Sequence, residues 1–424
     1  MSERVFNRIS VIGLGYIGLP TAAMFASRGI EVVGVDVNPH TVETINRGEI
    51  HIVEPELDAV VQKVVNENKL RATLAPEPAD AFLIAVPTPF KGDNHDPDLS
   101  YIEAAAGAIA PVLSAGNLVV LESTSPVGAT ERMAAWLAER RPDLTFPTSH
   151  GEGSDIRVAH CPERVLPGKV MQELILNDRV VGGITQRCSR EAATLYKTFV
   201  EGDCVIASNT RVAEMAKLTE NSFRDVNIAF ANELANVCSS LDMNVWEVIQ
   251  LANRHPRVNI LKPGPGVGGH CIAVDPWFIV AAARQDTPLI QAARTVNDGR
   301  PERVLGQIQT AASDFYVRNG RRPVIALLGL SFKPDIDDLR ESPAVEVAHL
   351  TLASKAGTII AVEPHIEELP RGLRETGLEL VSLDIAVERA DIAVMLVNHQ
   401  AFSDVSSALF GGKDYICVCR DANE

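Results

Sequence analysis

The segment Pro263-Gly-Pro-Gly-Val-Gly-Gly-His270-Cys271-Ile-Ala-Val-Asp275-Pro276 sets a cysteine directly behind a glycine-dense run. Glycines let backbone approach a ligand and leave the thiol reachable, so Cys271 reads as a nucleophile, with His270 and Asp275 beside it. Cys161, Cys188, Cys204 and Cys238 lack such a setting and read as small buried hydrophobes. Cys417 and Cys419 alternate on a terminal strand without the further ligands a metal site needs, and no metal is expected. A second group lies upstream, where Lys217, Asn221 and Arg224 fall at i, i+4 and i+7 and so share one face of a helix. Two cations flanking an amide suit the ordering of a water or an oxyanion; the plain alternative is a solvated polar face braced by Glu214 and Glu220.

Gly13-Leu14-Gly15-Tyr16-Ile17-Gly18 follows an apolar strand pattern and opens a helix, and Asp36 ends the next strand pattern. Gly13 permits the tight turn, Gly15 lets backbone approach a pyrophosphate, and Gly18 allows close helix–strand packing. Asp36 suits a ribose 2′-hydroxyl and repels a 2′-phosphate, which favours NAD over NADP. Thr88 and Thr124 follow two further strand patterns and Thr130 comes soon after, so their hydroxyls are expected to line the cofactor, although each alone is equally a turn or cap residue. Two clusters suit a phosphate or sugar: 161–169, with Glu163, Arg164, Val165 and Lys169, and 332–343, with Phe332, Lys333, Asp338 and Arg340. In the second, Ser342 is expected as a helix N-cap with Pro343 at the first helical position. A surface ion-pair loop is the simpler reading of Lys333, Asp338 and Arg340.

These groups need a scaffold of some size, and 424 residues allow two or three domains. The strand patterns Ile9–Ile12, Val32–Val35, Phe82–Val86 and Leu118–Leu121 alternate with helices, as in a parallel sheet covered on both faces. From Asn209 to Leu241 one long helix is expected, with Val226, Phe230, Leu234, Val237 and Leu241 as its apolar stripe. Pro256 to Gly269 is dense in Pro and Gly, and Asp298 to Arg303 reads as a second connection. Alternation resumes at Val324–Leu328, Thr358–Val362, Ile392–Val397 and Tyr415–Val418. The expected fold is α/β: two Rossmann-like, doubly wound parallel-sheet domains, residues 1–206 and 303–424, joined by a helical middle, 207–302, with a long central helix.

Composition narrows the function. Hydrophobic residues make up 46% and charged residues 22%, an ordinary globular balance. With 39 Lys+Arg against 55 Asp+Glu, a net charge of −16 repels a polyanion, so a small ligand is expected rather than nucleic acid. Seven scattered cysteines read as reduced thiols, which points to the cytoplasm. The uncharged stretch Ile9–Ser27 resembles a signal peptide superficially, but three glycines and Pro20 interrupt it, and Ala104–Leu121 is likewise broken. No membrane association is expected.

The ordered set Gly13–Gly18, Ser123-Thr124 with Pro126, Pro162-Glu163, Lys217 to Asn221, Gly-Gly-His270-Cys271 with Asp275, and Phe332-Lys333 with Arg340-Glu341-Ser342 resembles the UDP-glucose/GDP-mannose dehydrogenases. Those enzymes oxidise a sugar-nucleotide alcohol to a carboxylate with two NAD, and the resemblance spans essentially the whole chain. The run Gly-His-Cys-Ile-Ala-Val-Asp-Pro-Trp-Phe is similar to the N-acetylhexosamine branch. Ile50-His-Ile-Val-Glu-Pro, Val86-Pro-Thr-Pro-Phe-Lys-Gly-Asp and Asn253-Arg-His-Pro-Arg-Val-Asn-Ile-Leu narrow the resemblance further, which implies oxidation at C6 of UDP-N-acetyl-D-mannosamine for bacterial surface polysaccharide, with UDP-N-acetylglucosamine or another nucleotide sugar as the alternative.

By that resemblance Cys271 is the nucleophile and Lys217 the general acid/base, with Asn221, Thr124, Glu163 and Asp275 serving water and oxyanion. NAD would meet Tyr16, Ile17, Asp36, Thr88, Thr130 and Arg340 beside the glycines. The UDP-sugar would meet Arg164, Val165, Lys217, Asn221, Arg224, Gly268, Phe332 and Lys333, with His255 and Arg257 reaching in from a neighbouring subunit. At least a homodimer through the central helix is implied. Relatives carry a lysine near the end, in an Asp-Ala-Lys-Gly-like run; this chain has Val418-Cys419-Arg420-Asp421, and Arg420 is offered there as a nucleotide contact.

Overall fold

The computed structural model describes residues 5–420 apart from 53, 93, 167, 270, 406 and 407. The chain divides into two compact units, 1–220 with 277–284, and 221–276 with 285–424.

The first unit is built on strands β1 (Arg8–Ile12), β2 (Glu31–Val35), β3 (Leu70–Thr73), β4 (Ala81–Ile84), the two-residue pair β5 (Phe90–Lys91) and β6 (Asp96–Pro97), β7 (Leu118–Leu121), β8 (Arg157–His160), β9 (Arg179–Gly183) and β10 (Cys204–Ile206). Eight of them form one sheet in the order β10-β9-β8-β7-β4-β1-β2-β3. All its neighbours run parallel except β8 and β9. The strands are continuous apolar runs because helices cover both faces, leaving Val11, Val33, Leu83 and Val120 without access to water. The strand order reverses between β1 and β4, where Ile12 pairs with Ile84 on one side and Val35 on the other. That reversal opens the crevice in which open α/β sheets hold ligands.

The second unit carries β11 (Val324–Leu328), β12 (Thr358–Val362), β13 (Glu379–Leu380), β14 (Ile392–Met395) and β15 (Asp414–Cys417), all parallel, in the order β13-β12-β11-β14-β15. Alternate residues face two cores: Ile325 and Leu327 enter one, Ala326 and Leu328 the other. Ser342 caps the helix Pro343–Ser354 as expected, its Oγ accepting from the Ala344 N–H at 3.2 Å with Pro343 in the first turn. The connection expected at Asp298–Arg303 shrinks to Gly299, where the helix Pro288–Asp298 meets Arg300–Asn319. Pro301 does not break the second helix because first-turn N–H groups have no intrahelical partner to lose.

The long helix spans Thr210–Ser240, with the expected limits to within a residue. Its apolar stripe, however, does not enter the core: Phe230 is 55% exposed and Val237 46%, and Phe223 beside them is 70% exposed. The face it buries in the second unit carries Ser222, Asp225, Ala229 and Asn232. Asp225 Oδ1 and Asn232 are paired, which makes their burial tolerable, while Ser222 Oγ and Asp225 Oδ2 have no partner among the described residues. Arg294 donates to Asp225 at 2.8 Å, Asn297 donates to the same Oδ1 at 2.8 Å, and Asn232 donates to Asn297 at 2.9 Å.

Candidate active site

The glycine turn behaves as its spacing requires. Gly13 sits at φ +90, and a Cβ there would lie 2.6 Å from the Ala85 carbonyl oxygen; on Gly18 it would lie 1.8 Å from that of Gly13. A Cβ on Gly15 would meet nothing within 4 Å, so this is the open point where backbone can be approached. Asp36 is tied to the turn, its carboxylate accepting from Leu14 N–H at 3.0 Å and Asn38 N–H at 2.9 Å. Tyr16 and Ile17 open the helix Gly18–Ser27 with part of their surface to solvent. Thr88, past the end of β4, has a buried Oγ with no hydrogen-bond partner among the described residues. An open glycine at a helix N-terminus, an acid at the end of β2 and an unpartnered hydroxyl fit a dinucleotide.

Other expected cofactor contacts are engaged within the protein. Thr130 is fully buried, and its Oγ–H and N–H both donate to Glu214 Oε1, at 2.6 and 2.8 Å, while Gly128 N–H donates to Oε2 at 2.6 Å. Glu214, read as part of a solvated face, is thus buried as a cap on the helix Ala129–Arg140. Burial raises its carboxyl above the ordinary range, against the pull of the Thr130 and Gly128 hydrogen bonds. Arg340 makes a two-pronged pair with Asp338, at 2.8 and 2.6 Å, as the simpler reading of that loop expected.

The loop after β8 is held from several directions. Glu163 accepts from Arg164 N–H at 2.7 Å and from Arg179 Nη1 at 2.5 Å. Arg164 reaches Glu220 at 2.7 Å and the Asp178 carbonyl at 3.0 Å. Val165 packs against the core beneath. Glu54, given no role from the sequence, accepts from Gly168 and Val170 N–H groups at 2.8 Å each and anchors the loop's far end. Thr124 and Lys217 are half-buried in this first unit.

In the second unit, Cys271 is exposed, and Asp275 is buried at the start of the helix Asp275–Ala282. Asn221 Nδ2 donates to Asp275 Oδ2 at 2.5 Å, and Asp275 N–H donates to the Cys271 carbonyl at 2.9 Å. His270 lies outside the described residues. The glycine loop packs on the segment that carries Phe332: a Cβ on Gly268 would lie 2.3 Å from the Glu341 carbonyl oxygen and 3.0 Å from Phe332, and Gly269, at φ +81, contacts the Phe332 ring. Gly264 is clamped from both sides, its N–H donating to Asn232 and its carbonyl accepting from Arg300.

Phe332 and Lys333 are half-buried on a loop that His399 organises. His399 is buried, its Nδ1 accepting from Asp335 N–H at 3.0 Å and its Nε2 facing Glu363 at 3.1 Å. Glu363 also accepts from Leu330 and Ser331 N–H groups. Burial opposes its charge, yet His399 and those N–H groups hold its carboxyl below the usual range. Asp335, His365 and His399 come within 4.8 Å of one another, but the His399 lone pair is committed to the loop.

Arg224, His255 and Arg257 are exposed. Arg420 is buried, its guanidinium donating to Asn398 Oδ1 and to the Ser403 and Val405 carbonyls. That spends on the loop after β14 the charge the sequence offered to a nucleotide.

A dinucleotide turn on a doubly wound sheet and an exposed cysteine behind a glycine loop define an NAD-dependent dehydrogenase. The chain belongs to the UDP-glucose/GDP-mannose dehydrogenase family: residues 7–200 match its NAD binding domain, 211–299 its central domain and 326–418 its UDP binding domain. It is 62% identical over 397 residues to the NDP-N-acetyl-D-galactosaminuronic acid dehydrogenase of Ralstonia nicotianae, covering 94% of this chain and 92% of that one. It is 62% identical over 405 residues to the UDP-N-acetyl-D-mannosamine dehydrogenase of Escherichia coli K12, covering 95% and 96%. Among solved structures, a UDP-D-ManNAc dehydrogenase from Pyrococcus horikoshii matches with a TM-score of 0.87 at 40% identity, over 97% of this chain and 95% of that one. No helix among the described residues is long and apolar enough to cross a membrane.

Proposed function

We propose that the protein oxidises the C6 hydroxyl of UDP-N-acetyl-D-mannosamine to the carboxylate, in two steps through a covalent adduct on Cys271. The observation that carries the reading is the exposed Cys271 behind a glycine loop packed on Phe332, in a chain 60–62% identical to several enzymes named for that substrate. The Ralstonia relative, named for N-acetyl-D-galactosaminuronic acid at the same identity, supports a second reading with the same chemistry on the galacto isomer, which differs from the mannosamine at C2 and C4. UDP-N-acetylglucosamine stands as a third substrate.

NAD, when bound, accepts a hydride in each oxidation. The rest falls to the chain. Lys217 takes the hydroxyl proton, and the Cys271 thiolate adds to the aldehyde, giving a thiohemiacetal that keeps it from escaping. After the second oxidation water hydrolyses the resulting thioester, releasing the acid and the thiol. Asp275, oriented by Asn221, serves with Glu163 and Thr124 to order that water and the oxyanion. Gly13, Gly15, Tyr16, Ile17, Gly18, Asp36 and Thr88 hold the cofactor, Thr130 shapes the helix beside it through Glu214, and Arg340 is assigned to the cofactor by resemblance alone. Arg164, Val165, Arg224, Gly268, Phe332 and Lys333 take the nucleotide sugar, and Arg420 supports them indirectly through the loop after β14.

The division of labour follows the three segments: cofactor in 1–206, catalytic lysine and cysteine in 207–302, UDP in 303–424. The exposed stripe Phe223, Phe230 and Val237 supports a homodimer along the long helix, with His255 and Arg257 lent to the neighbouring site. A reducing cytoplasm, serving polysaccharide synthesis, suits the thiol chemistry. Incubating the protein with NAD and, separately, UDP-N-acetylmannosamine, UDP-N-acetylgalactosamine, UDP-N-acetylglucosamine and UDP-glucose tests the reading. The mannosamine nucleotide is expected to give the highest kcat/KM; a preference for another sugar replaces the substrate, and no turnover of any refutes the enzyme.

A further inference from the structure

Two carboxyl groups and one guanidinium are sealed together under the ends of β7 and β8. Glu122 is 1% exposed, Glu163 6% and Arg179 1%. Arg179 Nη1 lies 2.5 Å from Glu163 Oε2 and 3.8 Å from Glu122 Oε1. With both acids ionised this interior would hold an uncompensated negative charge, which costs several kcal/mol in a low-dielectric setting. The hydrogen bonds around Glu122 divide unevenly: Tyr196 Oη donates to Oε1 at 3.2 Å and Thr21 Oγ to the same atom at 3.5 Å, while Oε2 is buried without a partner among the described residues. An ionised Glu122 would leave a charged oxygen buried with no donor among the described residues, a cost that the neutral acid avoids.

We propose that Glu122 is held as a neutral acid beside the Arg179–Glu163 ion pair, and that its neutrality positions Glu163 by leaving the Arg179 charge to Glu163 alone. The inference rests on the reading of Glu163 as a group that serves the hydrolytic water. Arg179 fixes one oxygen of Glu163 and the Arg164 N–H the other, so the carboxylate has a single aim. An ionised Glu122 would draw the same guanidinium toward itself and loosen that aim.

The surroundings agree. The groups facing Glu122 are Thr21 from the helix Gly18–Ser27, Tyr196 from the helix Gln186–Tyr196, Arg179 from β9, and Cys161 and Glu163 beyond β8. Burial lifts the Glu122 carboxyl to about 8; Arg179 pulls it down, and Glu163 pushes it further up. Burial lifts Cys161 and Tyr196 as well, so both are neutral spectators. Arg179 also lies over the Tyr196 ring, its Cζ 5.1 Å from the centroid, a cation–π contact.

Infrared spectra of the full-length protein and of Glu122→Gln test the protonation state without any substrate. The native protein at pH 7 is expected to show a carboxylic-acid carbonyl band that Glu122→Gln lacks and that fades as the pH passes about 8. Identical spectra at pH 7 overturn the proposal. Arg179→Lys, which keeps a buried cation, tests the positioning role: acyl-enzyme on Cys271, read by intact mass after quenching, should accumulate, with kcat down roughly tenfold or more and KM little changed. Native kinetics in Arg179→Lys across the pH range would overturn that role. If the native protein turns over no nucleotide sugar, the function proposed above fails, while the infrared result still decides the state of Glu122.

Discussion

Asn221 and Asp275 meet in a 2.5 Å hydrogen bond between a half-buried amide and a buried carboxylate, and the Asp275 backbone N–H closes on the Cys271 carbonyl. The acid therefore has both its side chain and its backbone fixed relative to the Cys271 loop, the side chain by a residue one turn along the helix from Lys217. Replacing Asp275 by Asn should keep the fold and slow net oxidation by about 10²–10⁴-fold, the usual weight of a positioned acid or base. Asn221→Ala should fall in the same direction by less, because it removes the orienting group and leaves the carboxylate. Steady-state kcat with folding checked by circular dichroism decides; equal activity in Asp275→Asn contradicts the assignment.

Glu214 satisfies three buried donors at once: the N–H groups of Gly128 and Thr130 and the Thr130 hydroxyl. Glutamine offers one acceptor oxygen in place of two and introduces donors of its own. Glu214→Gln should cost about 1–3 kcal/mol of stability, the penalty for stranding buried donors. Thermal unfolding measures it, and an unchanged Tm would mean the cap contributes little.

Much of this was legible beforehand. Strand runs such as Arg8–Ile12 and Thr358–Val362 declared themselves because both faces are covered, and the 13–18 turn because only glycine fits against Ala85 and Gly13. What stayed hidden depends on partners far apart in sequence. Glu214 pairs across more than eighty positions with Gly128 and Thr130, and Glu54 across more than a hundred with Gly168 and Val170. The apolar stripe of the long helix misled for a different reason. Periodicity records which face is apolar, not whether the covering surface lies in the same chain. The one available signal was Asp225 and Asn232 opposite that stripe, since polar residues between apolar ones on a long helix call for buried partners.

That exposed stripe yields a solution prediction. Phe230→Glu, placing a charge among Phe223, Val237 and Leu241, should shift the particle from a dimer to a monomer in sedimentation without unfolding it. A native protein that already sediments as a monomer contradicts the dimer.

The acid limit of stability should trace partly to His160. Burial depresses this imidazole to about 3, while the unfolded chain binds a proton near the ordinary 6.5. The unfolded state therefore holds more protons in this window, and stability present above about 6.5 is lost as the pH falls toward 3, at up to roughly 1.4 kcal/mol per pH unit. His160→Gln should flatten that decline in denaturant titrations between pH 6.5 and 4.5, whereas a parallel decline in both proteins assigns the acid sensitivity elsewhere.

The covalent two-step oxidation is tested most directly by counting NADH formed per UDP-N-acetylmannosamine consumed, in the native protein and in Cys271→Ser. About two NADH per sugar and a uronate product are expected for the native enzyme, with loss of net oxidation in Cys271→Ser while NAD still binds. One NADH per sugar, or full turnover without the thiol, would contradict it.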